Sequence, residues 1–122
     1  VVSINGQSFN GFNSVAMSPD GKHLVSGNSN GSITIWDANT GKEITAIKGH
    51  TKMVNSVAYS PDGKIIASVS EDGSVSIWNS ATGAELWTVK DTKRLTSLSF
   101  NSDGSKLVVG GAEGIRVLRV ER

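Results

Sequence analysis

Apolar and polar residues alternate along this chain in short runs, and each run is bounded by residues that favour turns. In the middle of the chain the alternation predicts strands at 54–60, 64–70, 74–79 and 85–90. No stretch has the spacing of apolar residues that an amphipathic helix requires. Antiparallel strands joined by tight turns form a small twisted sheet, so the pattern indicates an all-β chain.

Two kinds of turn separate these strands. Ser60–Gly63 reads Ser-Pro-Asp-Gly, in which proline fixes φ and glycine takes the left-handed conformation after it. Asp72 and Gly73 form the pair that favours a two-residue hairpin, whose central residues both need positive φ. Ala81–Gly83 supplies the last turn of the predicted sheet.

One segment of the sequence occurs three times. NSVAMSPDG at 13–21 returns as NSVAYSPDG at 55–63 and, with more substitutions, as TSLSFNSDG at 96–104. The copies start 42 and 41 residues apart, a period typical of repeat proteins. One such sheet is apolar on both faces and buries too little surface to fold alone, so it must stack on the next. Sheets stacked radially in this way form a β-propeller.

Composition excludes several classes of function. Lysine and arginine number 12 against 11 acidic residues, so charge gives no reason to expect a nucleic acid or an anionic membrane as partner. The absence of cysteine excludes disulfides, thiolate metal sites and thiol nucleophiles. No apolar run approaches the roughly 20 residues of a membrane span, and no secretory signal opens the sequence. We therefore expect a cytoplasmic protein without a cofactor.

Pairs of residues at recurring positions point to a family. Trp36-Asp37 and Trp78-Asn79 end the third strands of two units, and Gly49-His50 lies between one unit and the next. Combined with the Ser-Pro-Asp-Gly turns, these pairs make the chain resemble the WD-repeat β-propellers over nearly its whole length.

The resemblance implies a hydrogen-bonded tetrad of Trp, Ser or Thr, His and Asp inside each four-stranded blade. In the second unit the tetrad maps to His50, Ser68, Asp72 and Trp78. The first unit keeps Ser26 and Trp36, with Asn30 at the Asp position and Gln7 at the His position. We expect these residues to be structural, because buried polar groups of these types can satisfy one another.

The third unit departs from this pattern. Val109 stands at the Ser position, Leu118 at the Trp position and Glu113 at the Asp position, while the His position falls within 90–92. Since these residues cannot form the tetrad, we expect apolar packing to hold the third blade together.

The sequence repeats do not begin and end at the same strands as the predicted blades. Residues at the start of the sequence align with a fourth strand at 45–48, and the sequence ends with a third strand at 115–122. Rings of the family that this chain resembles close when an N-terminal strand completes the last blade. We therefore predict repeats at about 6–48, 49–90 and 91–122. The predicted ring-closing strand comprises Val1, Val2, Ser3, Ile4 and Asn5 and completes the blade that ends at Arg122 in a neighbouring copy of the chain.

Three blades form an arc, so we expect the ring to close by association of copies of the chain. Rings of seven or eight blades turn by about 48° per blade, whereas nine blades need about 40° and six about 60°. The smaller departure favours a trimer of nine blades over a dimer of six. A larger propeller, completed by blades of a different chain, is the alternative.

For function we expect a non-enzymatic scaffold that binds a protein or peptide, without catalytic or metal sites. The loops that share one rim of such a propeller mix charged and apolar side chains, as docking surfaces do. The candidate rim residues are Phe9, Asn28, Lys52, Met53, Glu71, Lys93 and Arg94. Ser68, His50 and Asp72 do not indicate a hydrolase, because Ser68 lies within a strand and not on an exposed elbow. The alternative is a short or engineered propeller that only self-assembles, and an enzyme is the least favoured interpretation.

Overall fold

The computed structural model describes residues 3–4, 11–90 and 94–120. These residues form three sheets of antiparallel strands, each corresponding to one blade. The first blade contains β1 Phe12–Met17, β2 His23–Asn28, β3 Ser32–Asp37 and β4 Glu43–Lys48. The second contains β5 Val54–Tyr59, β6 Ile65–Ser70, β7 Ser74–Asn79 and β8 Glu85–Lys90. The third contains β9 Leu95–Phe100, β10 Lys106–Gly111 and β11 Gly114–Arg119.

The strands of each blade pair in the order in which they follow along the chain. The four strands predicted for the middle unit are confirmed, with bounds that differ by no more than one residue. The first strands of the blades, β1, β5 and β9, lie next to one another, so that the blades are arranged radially. This is the arrangement of consecutive blades in a β-propeller.

The Ser-Pro-Asp-Gly turns form as predicted. Gly63 N donates to Ser60 O over 2.9 Å, and Gly63 has a φ of 74°. Ser60 Oγ and Lys64 N both donate to Asp62 Oδ1, at 2.6 and 3.0 Å. The carboxylate therefore holds the turn from both sides, which fixes the register of β5 against β6.

The hairpin between β6 and β7 differs from its prediction. Gly73 N donates to Ser70 O over 3.1 Å, and Gly73 follows the turn with a φ of 83°. Glu71 and Asp72 thus occupy the centre of the turn, and the predicted two-residue Asp72-Gly73 hairpin is wrong. β6 ends at Ser70 and β7 begins at Ser74, so Glu71, Asp72 and Gly73 make a three-residue connection.

Apolar layers fill the two spaces between neighbouring blades. The layer between the first two blades contains Val25, Ile33, Ile35, Ile47, Val54, Val57, Ile66 and Trp78. The layer between the second and third contains Ile65, Ala67, Val69, Val75, Ile77, Leu95, Leu107, Val109 and Val120. Alternate residues of the second blade therefore pack on opposite neighbours, as the period of two requires.

The outer faces of the first and third blades are open to solvent. Val15 and Met17 on the first blade are 67% and 57% exposed, and Ile115 and Val117 on the third are 77% and 60% exposed. Among the described residues, β11 has a neighbouring strand on one side only, β10. Such surfaces are unusual, because apolar side chains of this size are normally covered when they cluster on one face of a sheet.

The predicted ring-closing strand lies mostly outside the described residues. Ser3 and Ile4 are described, and neither belongs to a strand. Ile4 lines a groove of about 410 Å³ on the open face of the first blade, together with Phe12 and Trp36. Neither of these two described residues pairs with β11.

Candidate functional site

The four residues predicted for the tetrad of the second blade are brought together. Trp78 Nε1 donates to Ser68 Oγ over 2.9 Å, and Ser68 Oγ lies 2.7 Å from His50 Nε2. His50 Nδ1 lies 3.4 Å from Asp72 Oδ2. All four side chains are buried, so the group lies inside the blade and offers no surface to a substrate.

A fifth residue, Ser74, joins this group and is absent from the sequence prediction. Ser74 Oγ lies 2.7 Å from His50 Nδ1 and donates to Asp72 Oδ1 over 2.5 Å. Because Ser68 Oγ accepts the indole proton, its own proton is directed at His50 Nε2, which leaves the ring proton on Nδ1 to be donated to Ser74. The groups thus form a continuous donor chain that starts at Trp78 and ends on the Asp72 carboxylate.

The protonation states agree with this direction. Burial lowers the pKa of His50, against the charge of Asp72, so the imidazole is neutral at pH 7. Burial acts to raise the pKa of Asp72, but hydrogen bonds from Ser74 and Thr51 outweigh it and lower that pKa to about 2. The neutral imidazole of His50 lies between two hydroxyls, and the donor chain ends on an ionised carboxylate. Every polar group of the donor chain therefore has a hydrogen-bond partner.

The first blade forms an equivalent donor chain with asparagine in the place of histidine. Trp36 Nε1 donates to Ser26 Oγ over 3.0 Å, and Ser26 Oγ donates to Asn28 Oδ1 over 3.0 Å. Asn28 Nδ2 donates to Ser32 Oγ over 2.8 Å, and Ser32 Oγ donates to Asn30 Oδ1 over 2.6 Å. A carboxamide accepts at one atom and donates at another, as a neutral imidazole does, so it can fill the same position.

This position of Asn28 corrects the sequence prediction, which placed it among the rim residues. Its side chain is fully buried, and its Nδ2 also donates to Thr34 Oγ1 over 3.1 Å. The period of two is the signal that could have revealed this, since it puts Ser26 and Asn28 on the same face of β2. Gln7, the residue predicted at the histidine position, lies outside the described residues.

The third blade lacks the donor chain and is held by apolar contacts. Val109 is 1% exposed in the apolar layer shared with the second blade, and Leu118 packs against that layer. Glu113 lies in the exposed turn before β11. Apolar side chains of similar size can replace a buried polar group without leaving a partner unsatisfied.

Four of the predicted rim residues lie close together where the second blade meets the third. Arg94 Nε donates to Glu71 Oε2 over 2.6 Å, and Glu71 N donates to Met53 O over 3.0 Å. Met53 is 40% exposed, and Lys52 precedes it on the same loop. We call Lys52, Met53, Glu71 and Arg94 the rim cluster. Phe9 and Lys93 lie outside the described residues.

Asn55 ties the rim cluster to the framework of the blades. Its Nδ2 donates to Glu71 Oε2 over 2.7 Å and to Leu95 O, also over 2.7 Å. The hydrogen bond that Glu71 accepts from Asn55, together with that from Arg94, lowers the pKa of Glu71, so the rim carries a fixed negative charge beside Arg94. The rim cluster is thus a small surface of mixed charge held by a rigid base.

Other candidate chemistry is separated in space. The carboxylates of Asp20, Asp62 and Asp103 each hold the turn of their own blade. In the described part of the chain no group of three or more His, Cys, Asp or Glu side chains is arranged to hold a metal ion. Nor does that part contain a helix of the length and apolar character that a membrane crossing needs.

Radial four-stranded sheets with a buried Trp-Ser donor chain define the class of protein: a sector of a β-propeller. The chain belongs to the WD domain, G-beta repeat family, whose model matches residues 1–37 and 41–79. Proteins of this family are generally non-enzymatic scaffolds that bind other proteins.

Two known proteins illustrate the similarity. The uncharacterized WD repeat-containing protein alr3466 of Nostoc sp. (strain PCC 7120) is 50% identical over 40 residues, which cover 33% of this chain and 3% of that protein. The crystal structure of RRP9 WD40 repeats superposes with a TM-score of 0.89 at 22% identity and covers 96% of this chain and 37% of that one. At this identity the superposition shows the fold alone. The coverages of 3% and 37% also show that the chain spans a minor part of the length of either protein.

Proposed function

We propose that this chain is a non-enzymatic propeller scaffold that joins copies of itself head to tail and binds a protein or peptide at the rim cluster. The observation that carries the self-assembly is the match between the two open faces. We call the face of a blade that packs on the next blade its leading face, and the face that packs on the preceding blade its trailing face.

At both junctions between neighbouring blades, an apolar leading face packs on an apolar trailing face. Val25, Ile33 and Ile35 form the leading face of the first blade, against the trailing face of the second. Val75 and Ile77 of the second blade meet Leu107 and Val109 of the third in the same way. The alternation of the strands is common to all three blades, so the open faces are the two halves of one more such interface.

The open faces supply equivalent side chains. By repeat alignment, Ile115 and Val117 on the open leading face correspond to Val75 and Ile77. On the open trailing face, the exposed Val15 and Met17 correspond to Val57 and Tyr59 of the second blade. Val57 is buried, and Tyr59 packs against the layer between the first two blades. If these surfaces covered each other, each Å² of apolar area removed from water would stabilise the assembly by about 25 cal/mol.

The surroundings of Gly27, at the junction of the first two blades, predict which residues meet at the junction between two copies. A Cβ built on Gly27 would lie 2.6 Å from Val54 Cγ1 and 3.1 Å from Val57 Cγ1. The equivalent of Gly27 on the third blade is Gly110, and the equivalent of Val57 on the first is Val15. In the ring, Gly110 of one copy therefore faces Val15 of the next.

Substituting Gly110 tests the self-assembly. A Cβ at Gly110 would have no neighbour closer than 3.6 Å within the chain, so Gly110→Trp is compatible with the folded blade but blocks the junction. We expect light scattering to give three times 12.8 kDa for the wild type, completing nine blades, and 12.8 kDa for Gly110→Trp. Ser102→Trp, in an exposed turn, is the control and should keep the mass of the wild type.

Other masses discriminate between the alternatives. A wild-type mass of twice 12.8 kDa would replace the trimer by a ring of six blades. A stable monomer would contradict self-assembly and assign the open faces to further blades, of a longer polypeptide or of a second protein. An oligomer that persists in Gly110→Trp would place the junction elsewhere on the molecule.

The composition and rigidity of the rim cluster support its role in binding. An exposed methionine beside a paired Arg and Glu is typical of docking surfaces, where an apolar anchor is surrounded by polar groups. Peptides selected on the wild type from a displayed library should lose about tenfold or more in affinity to Met53→Asp. Leu86→Asp is the matched control, because Leu86 is 51% exposed on the outer strand β8. Peptides that respond to Leu86→Asp and not to Met53→Asp would exclude the rim as the binding surface.

A further inference from the structure

A second groove lies at the opposite end of the strands from the rim cluster. It has a volume of about 450 Å³ and is formed where the turns after β1 and β5 come together. Residues of both blades line it, among them Asp20, His23, Ile35, Tyr59, Asp62 and Ser80. We call this the turn groove. It has no part in the self-assembly or in the rim cluster, because it sits between two blades that are already joined.

The walls of the turn groove are rigid. Asp20 Oδ1 accepts hydrogen bonds from Ser18 Oγ over 2.6 Å and from Lys22 N over 2.9 Å. Pro19 packs against the neighbouring turn so closely that a Cβ on Gly63 would lie 3.3 Å from Pro19 Cδ. The carboxylates of the two blades are therefore held in place before any ligand arrives, which reduces the entropy lost on binding.

The charge of the turn groove is negative. Hydrogen bonds from Ser18 and Lys22 lower the pKa of Asp20, so it is ionised at neutral pH. Burial and the charge of Asp20 raise the pKa of Tyr59 to about 12, so its hydroxyl keeps its proton. Neither lysine nor arginine is among the residues that line the groove; the basic residue of its lining is His23. His23 and the exposed Lys22 both act on Asp20 and help to lower its pKa.

We infer that the turn groove binds an arginine side chain of a partner polypeptide. Asp20 and Asp62, from the two blades, line the groove together with the ring of Tyr59. A guanidinium can donate to carboxylates while its plane stacks on an aromatic ring. The apolar stem of the arginine would lie along Pro19 and Ile35. Lysine fits less well, because its ammonium is a strongly hydrated point charge without a planar face.

Blocked pentapeptides test this assignment. Gly-Ala-Arg-Ala-Gly is titrated into ¹⁵N-labelled protein and compared with the same peptide carrying citrulline, which keeps the shape of arginine and lacks its charge. We expect the arginine peptide to shift the amide signals of Lys22, Tyr59 and Lys64, and the citrulline peptide to bind at least about tenfold more weakly.

Two variants locate the binding. Asp20→Asn keeps an oxygen for the hydrogen bonds from Ser18 and Lys22 but removes the charge. It should lower the affinity for the arginine peptide by about tenfold. Asp103→Asn changes the equivalent turn of the third blade, where Asp103 Oδ1 likewise accepts from Ser105 Oγ over 2.6 Å, and it should bind as the wild type does.

Three results would overturn the inference. Equal affinity for the arginine and citrulline peptides would exclude recognition of the charge. Shifts confined to Glu71 and its neighbours would transfer the binding to the rim cluster. A lysine peptide that binds as tightly as the arginine peptide would reduce the site to an unspecific acidic surface.

Discussion

Gly31→Ala should destabilise the fold more than any other single methyl group added to this chain's turns. Gly31 has a φ of 92°, a conformation that costs a residue with a Cβ about 1–3 kcal/mol. The new Cβ would also lie 2.3 Å from His50 O and 2.9 Å from Lys52 O, and these backbone atoms cannot move away by changing rotamer. The hydrogen bond from His50 N to Gly31 O, 3.0 Å long, would be strained at the same time.

We expect Gly31→Ala to lower the free energy of unfolding by about 3–5 kcal/mol, measured by urea denaturation followed by tryptophan fluorescence. Gly21→Ala separates the two causes, because Gly21 has a φ of 73° but no atom within 4 Å of the added Cβ. It should cost only about 1–2 kcal/mol, the backbone contribution alone. Equal losses in the two variants would show that the contact with the β4–β5 connection does not matter.

Ser68→Ala is expected to have the second largest effect. The hydroxyl of Ser68 accepts from Trp78 Nε1 and donates to His50 Nε2, and all three side chains are buried. Its removal leaves a buried N–H and a buried ring nitrogen without partners, which should cost about 2–4 kcal/mol. Denaturation at fixed protein concentration measures this loss, since association would otherwise change the apparent stability.

Ser102→Ala is the control for Ser68→Ala. Ser102 lies in the exposed turn between β9 and β10, away from both open faces. Its replacement should change stability by less than about 0.5 kcal/mol. If Ser68→Ala cost no more than this control, water must reach the donor chain, and the buried arrangement would not hold in solution. Rim binding should survive Ser68→Ala, because the donor chain contacts no surface residue of the rim cluster.

The strands and the Ser-Pro-Asp-Gly turns could be predicted because both depend on local sequence. Alternation fixes which residues face which neighbour, and the turn needs only proline and glycine at set positions. The hairpin at Glu71–Gly73 could not be predicted in this way. An Asp-Gly pair occurs in hairpins of two and of three residues, and the choice depends on where cross-strand pairing stops.

The donor chains show a different limit of sequence alignment. Aligning the repeats equates Asn28 with Ser70, whose hydroxyl donates to the carbonyls of Lys52 and Met53. Nothing in that alignment indicates that the asparagine side chain turns inward to the place of an imidazole from another segment. The period of two places Asn28 on the same face of β2 as Ser26, but only the structure shows that its carboxamide takes the position of the imidazole.

Because Asn28 takes the place of the histidine, the donor chain described for the first blade does not need a residue from the connection that precedes the blade. Within the part of the chain that the structure describes, this donor chain runs from Ser26 to Trp36, inside one hairpin. The second blade, in contrast, takes His50 from the connection that precedes it and so cannot complete its interior until that connection is docked. We therefore expect local opening of the β4–β5 connection to break the donor chain of the second blade and to leave that of the first intact.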